Sequence, residues 1–172
     1  MLPGWEVGYG PGMPLIRAVG LSDVAEYAYA ATVDVPSRLV FTAGACPLDA
    51  NGGTVCPGDY VGQARQVMAN LAVALESAHA ELSDVVKTTV YVASASQSDL
   101  GAVWAVVRDA FGDHDPPSTL LGVTVLGYDD QLVEVEAVAA VAPLPEKVSA
   151  NPPPAGSGRR LRTPPGGNAA RP

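Results

Sequence analysis

At 172 residues, 48% apolar and 16% charged, the chain is sized for one domain and has ample material for a core. No apolar run approaches the roughly 20 residues that span a bilayer, and Met1–Glu6 lacks the basic-then-apolar order of a secretory leader, so a cytoplasmic protein with no membrane partner is expected. The net charge of −8 is uneven: five basic residues against Glu146 give 143–172 a charge of +4 and leave 1–142 at −12, a field that repels phosphate backbones and argues against nucleic acid as a partner.

Residues 1–21 are dense in Pro and Gly and are expected to form an irregular arm. A folded domain is expected over 22–142. It opens with a strand over Glu26–Val33, rich in Tyr, Thr and Val, and a second over Leu39–Ala43, stopped by Gly44. Ala50–Gly53 is a turn, because Asn-Gly accepts positive φ cheaply. Asp59 follows Pro57-Gly58 and reads as a helix N-cap. The helix behind it carries Ala64, Val67, Met68, Leu71, Ala74, Leu75 and Ala78 on one stripe and ends near His79.

Val85–Ala93 alternates as a strand. A second helix, capped by Ser98 or Asp99, places Leu100, Val103, Trp104, Val107 and Phe111 at helical spacing, and Gly112 ends it. A loop over Asp113–Pro117, a strand over Leu120–Leu126 and a last strand over Leu132–Val141 complete the order β, β, α, β, α, β, β. That order predicts a two-layer α+β domain with two helices on one face of a mixed sheet. From Pro143 the Pro, Gly and Arg-rich stretch to residue 172 has almost nothing to bury and is expected to be a disordered tail.

The last strand puts Val133, Val135, Ala137, Ala139 and Val141 on one face and Leu132, Glu134, Glu136, Val138 and Ala140 on the other. Helices on one side of the sheet leave that second face bare, and self-association would cover it. The two glutamates point the same way, about 6.5–7 Å apart. They suit either a general base that activates water or a solvated or inter-subunit ion pair. Ser118 and Thr119 offer hydroxyls to a ligand or to their own loop backbone. Trp104 suits core or interface packing more than ligand stacking. Cys46 and Cys56 make no disulfide framework and lack neighbours at metal-ligand spacing. Cys46 fits a buried thiol better than a nucleophile.

Four segments resemble, in order, the Rid (reactive intermediate deaminase, RidA-like) family. They are Leu39–Gly44 with Pro47-Leu48-Asp49, Gln63–Leu71, Asp84–Val92 and Leu132–Ala139. The resemblance covers about residues 25–142. It implies a chorismate-mutase-like α+β fold, a homotrimer with a small-molecule cleft at each subunit interface, and no cofactor or metal. It also implies hydrolysis of enamines and imines to keto acids and ammonia. Carried over by position, Glu134 matches the water-activating glutamate, Gly44 the glycine after the strand, and Tyr27 the aromatic before it.

The family's substrate-binding arginine is missing. Pro116-Pro117-Ser118-Thr119 puts Ser118 in its place, or Thr119 with a one-residue change of register, and Trp104 replaces the family asparagine. A hydroxyl cannot reproduce a bidentate guanidinium–carboxylate pair. The favoured expectation is a diverged cleft that binds or hydrolyses a neutral or cationic small molecule. The alternatives are ordinary enamine/imine deamination with another carboxylate anchor, and a non-enzymatic scaffold.

Overall fold

The computed structural model describes residues 6–9, 14–18, 20–22, 24 and 26–143. Its main sheet has the order β4-β7-β5-β6, from β4 (Arg38–Phe41), β5 (Val85–Val92), β6 (Ser118–Gly122) and β7 (Val133–Val141). β7 runs antiparallel to both β4 and β5, while β6 is parallel to β5, so the sheet is mixed. Helices α1 (Tyr60–Ser77) and α2 (Gln97–Phe111) both pack on one face, giving the two-layer α+β domain expected from the element order.

The alternation of β7 sets the layers. Val133, Val135, Ala137 and Ala139 are buried and meet Leu71 and Leu75 of α1 and Val103 and Val107 of α2. β5 adds Val90 and Val92, and Thr88 sits fully buried between the layers. The opposite face of the sheet is open. There Phe41 is 71% exposed, Leu39 47% and Leu121 42%.

Asp59 caps α1, its side chain accepting from the Gly62 N–H at 3.0 Å. Gly112 closes α2 at φ +63°, a conformation that costs glycine little. The buried stripe of α1 holds Ala64, Val67, Met68, Leu71 and Leu75 as expected, and adds Gln63, which is fully buried. The Gln63 amide donates to the carbonyls of Asp130 (2.7 Å) and Cys56 (3.3 Å), and its oxygen accepts from the Leu132 N–H (2.7 Å). This one side chain ties the loop before α1 to the turn before β7.

Several expectations need correction. The arm is not irregular where it is described: β1 (Glu6–Tyr9) and β2 (Pro14–Arg17) pair antiparallel, and β3 (Ala30–Ala31) adds to β2 as a small second sheet. The strand expected over Glu26–Val33 shrinks to β3. Beside it, Ala28 bonds the Asp115 carbonyl, and only the short β2 offers a ladder. Ser96, not Ser98 or Asp99, precedes α2; Asp99 lies in the first turn, where its carboxylate suits the helix dipole and accepts from Ser94. β6 starts two residues before the expected Leu120 and stops at Gly122, because its parallel partner β5 ends at Val92. The tail from residue 144 lies outside the described residues.

Replacing Gln63 with Met keeps the volume but abandons two carbonyls and one N–H in the interior. Urea unfolding should show a loss of about 3 kcal/mol, whereas a change below about 0.5 kcal/mol would mean the amide is not a fastening point.

Candidate functional site

β7 carries Glu134 and Glu136 on the open face, both half-buried, opposite Tyr91 and Thr89 of β5. Their surroundings differ. The Tyr91 hydroxyl donates to Glu136 Oε1 at 2.9 Å, and that bond pushes the phenol pKa up. Glu136 is thereby engaged with its own sheet.

Glu134 faces the chain segment that follows β4. Ala45 and Val135 exchange backbone hydrogen bonds (2.8 and 3.2 Å), which draws Gly44 against the glutamate. A Cβ at Gly44 would lie 2.7 Å from Glu134 Cγ and closer still to its carboxylate, so any side chain there would have to displace the glutamate. Glu134 Oε2 accepts from Gln131 Nε2 at 2.9 Å and is approached by Cys46 Sγ at 3.5 Å. Gln131 is itself buried, its oxygen taken by the Tyr128 N–H at 3.0 Å.

Cys46 is held by its own backbone. Asn70 of α1 donates to the carbonyls of Cys46 (2.8 Å) and Leu48 (3.0 Å), and Gln66 fixes Asn70 from one turn back. Burial, and then the neighbouring Glu134 charge, push the thiol pKa up to about 11. At neutral pH about one thiol in 10,000 is then ionised, which argues against a nucleophile. A cavity of about 350 Å³ opens beside this cluster, lined by Phe41, Gly44, Cys46, Asn70, Ala74 and Tyr128.

The other expected site residues lie elsewhere within the chain. Ser118 turns to the helix side, pairing with the buried Thr88 hydroxyl (2.6 Å) and donating to the Pro116 carbonyl (2.9 Å). Thr119 is on the open face, where its hydroxyl accepts from Lys87 Nζ at 2.6 Å. Tyr27 and Trp104 meet each other edge to face, ring centroids 5.8 Å apart, on the helix layer. Near them a groove of about 810 Å³ holds the ion pairs Arg17–Asp115 and Arg108–Glu26. One chain therefore unites Glu134 with Gly44, but not with Tyr27, Trp104 or Ser118. Gln131 and Asn70 escaped the sequence reading; an isolated amide in a turn or on a helix has no periodic signature.

Among the described residues no group of three or more His, Cys, Asp or Glu side chains could hold a metal ion, and no helix is long and apolar enough to cross a membrane.

A mixed sheet backed by two helices, with a glutamate on the last strand pressed against a glycine, defines a small α+β protein whose candidate site centres on a carboxylate. The family model described as Endoribonuclease L-PSP matches residues 21–141, and the chain belongs to that family, the Rid family of the sequence resemblance. It is 36% identical over 102 residues to a RutC family protein of Pyrococcus horikoshii, covering 59% of this chain and 79% of that one. It is 32% identical over 120 residues to a 2-iminobutanoate/2-iminopropanoate deaminase of Mus musculus, covering 70% and 84%. Among solved structures, the Rid-family protein YyfB of Yersinia pestis superposes with a TM-score of 0.70 at 29% identity, covering 76% of this chain and 99% of that one.

Gly44→Ala should destabilise the fold by about 1–3 kcal/mol through overpacking against Glu134. Adding Glu134→Ala should recover most of that loss in a double-mutant cycle; strictly additive losses would mean the two residues do not touch.

Proposed function

We propose that this chain hydrolyses small imines or enamines, without a cofactor, at a cleft where Glu134 activates water. The observation that carries the reading is the setting of Glu134. It is half-buried beside a cavity, with one oxygen held by Gln131 and Cys46. The deaminase names of several relatives point the same way.

The chemistry follows from that carboxylate. Water adds to the imine carbon while Glu134 takes its proton. Glu134 returns that proton to nitrogen to give the neutral carbinolamine; the carbinolamine hydroxyl then gives up its proton, through Glu134, to the departing nitrogen, and a carbonyl compound and ammonia remain. An imine and water give carbonyl and ammonia in balance, with no redox step.

We further propose that the substrate is neutral or cationic. Among the described residues no cationic side chain contacts Glu134, and the two residues that could stand in the arginine position are both hydroxyls already engaged, Ser118 with Thr88 and Pro116 and Thr119 with Lys87. An anionic substrate would approach Glu134 without a counter-charge. Tyr27 and Trp104 sit apart from Glu134 in one chain, so the reading places them across the cleft from an adjacent copy in a homotrimer, with Thr119 nearby on the open face. The exposed Phe41, Leu39 and Leu121 supply an apolar surface for that association. RNA is an unsuitable substrate for a domain of this charge.

Two imines generated in situ separate the alternatives: the neutral imine formed from benzylamine by an amine oxidase, and 2-aminoacrylate. The protein should accelerate ammonia release from the first more than from the second, and Glu134→Gln should lower the rate by about 10²–10⁴. Greater acceleration with 2-aminoacrylate would restore ordinary deamination with another anchor. Rates equal to buffer for both would leave the scaffold role.

A further inference from the structure

The Glu134 carboxylate is held on one side only. Gln131 Nε2 reaches Oε2 at 2.9 Å and Cys46 Sγ reaches the same atom at 3.5 Å. No donor among the described residues reaches Oε1, the oxygen turned toward Gly44. The Cys46 thiol has a second acceptor in range, the Gly44 carbonyl at 3.6 Å. A thiol has one proton, and a charged carboxylate is the stronger acceptor.

Both donors are themselves fastened. Gln131 has its oxygen bonded to Tyr128 N–H and its amide also reaches the Val133 carbonyl at 3.3 Å. Cys46 is carried by the loop that Asn70 pins to α1. Of the other titratable groups on this face, Tyr91 donates to Glu136 and Lys87 donates to Thr119. Cys46 and Gln131 therefore compete with nothing for Glu134.

We propose that Cys46 and Gln131 are positioning residues for Glu134: they occupy Oε2 together, so that Oε1 is the atom offered to water. The proposal rests on the hydrolytic reading of Glu134 and adds which oxygen acts and what aims it. It also gives Cys46 a role as a protonated donor, in keeping with burial and the adjacent charge that raise its thiol pKa to about 11.

The contact can be read without any substrate. In a Cys56→Ser background, which removes the exposed second thiol, iodoacetamide alkylation reports the ionised fraction of Cys46. At pH 8.5, Glu134→Gln should speed alkylation about tenfold, because a neutral amide no longer holds the thiol proton. An unchanged rate would overturn the contact. In hydrolysis of the benzylamine-derived imine, Cys46→Ala and Gln131→Leu should each lower kcat several-fold with KM unchanged, and Cys46→Ser, which keeps a donor, should restore most of it. Wild-type kcat in Cys46→Ala, or no rescue by Cys46→Ser, would overturn the positioning role. The two readouts fail separately. A coupled thiol in a protein that hydrolyses nothing leaves the clamp and removes the hydrolytic reading. An uncoupled thiol in an active enzyme does the reverse.

Discussion

Gln63 and Asn70 lie seven residues apart on α1, two helical turns, and neither spends its amide on its own helix backbone. Gln63 reaches the carbonyls of Cys56 and Asp130 and the N–H of Leu132, and Asn70 reaches the carbonyls of Cys46 and Leu48. Buried backbone groups in loops have few other partners, and leaving one bare costs about 1–3 kcal/mol. The helix thus holds the Cys46–Leu48 segment and the turn before β7 in fixed places. Those are the two segments that deliver Cys46 and Gln131 to Glu134. The apolar stripe of α1 gives the domain its core, and its polar positions give the site its geometry.

A glutamate pair on one strand has two different settings because its neighbours differ by one sheet position. Glu136 has a phenol in reach and accepts from it. Glu134 lies one step further, beyond the end of β4, where the partner strand has become a loop around Gly44. The absent arginine matters more than a single substitution, because nothing cationic takes its place at Glu134 among the described residues. Lys87, a cation of the open face, donates to Thr119, four residues along β5 from Tyr91.

Much of the layer arrangement was legible in the sequence. The alternation of β7, the stripe of α1, the Asp59 cap and Gly112 are local signals, and each has a local physical cause. What escaped was set by distant partners. β6 took its limits from β5, so Ser118 and Thr119 entered a strand despite their polarity. Gln63 was absent from the apolar stripe read for α1 and is a buried bracket, since its value lies in two loops remote in sequence. Gly44 and Glu134 were both named, but only their contact shows that a side chain at position 44 would displace the glutamate. Tyr27 and Trp104 were likewise named and do pair with each other, on the layer opposite Glu134.

The central claim is that Glu134 of one copy faces a small uncharged or cationic ligand completed by Tyr27 and Trp104 of the next. A crystal structure of Glu134→Gln soaked with benzaldehyde, the carbonyl product of the benzylamine-derived imine, tests it most directly. The account predicts a trimer with the aldehyde carbon beside residue 134, near Gly44, and the two aromatic rings contributed by the adjacent copy. Benzaldehyde seated in the Arg17–Arg108 groove, with residue 134 facing only solvent, would contradict it.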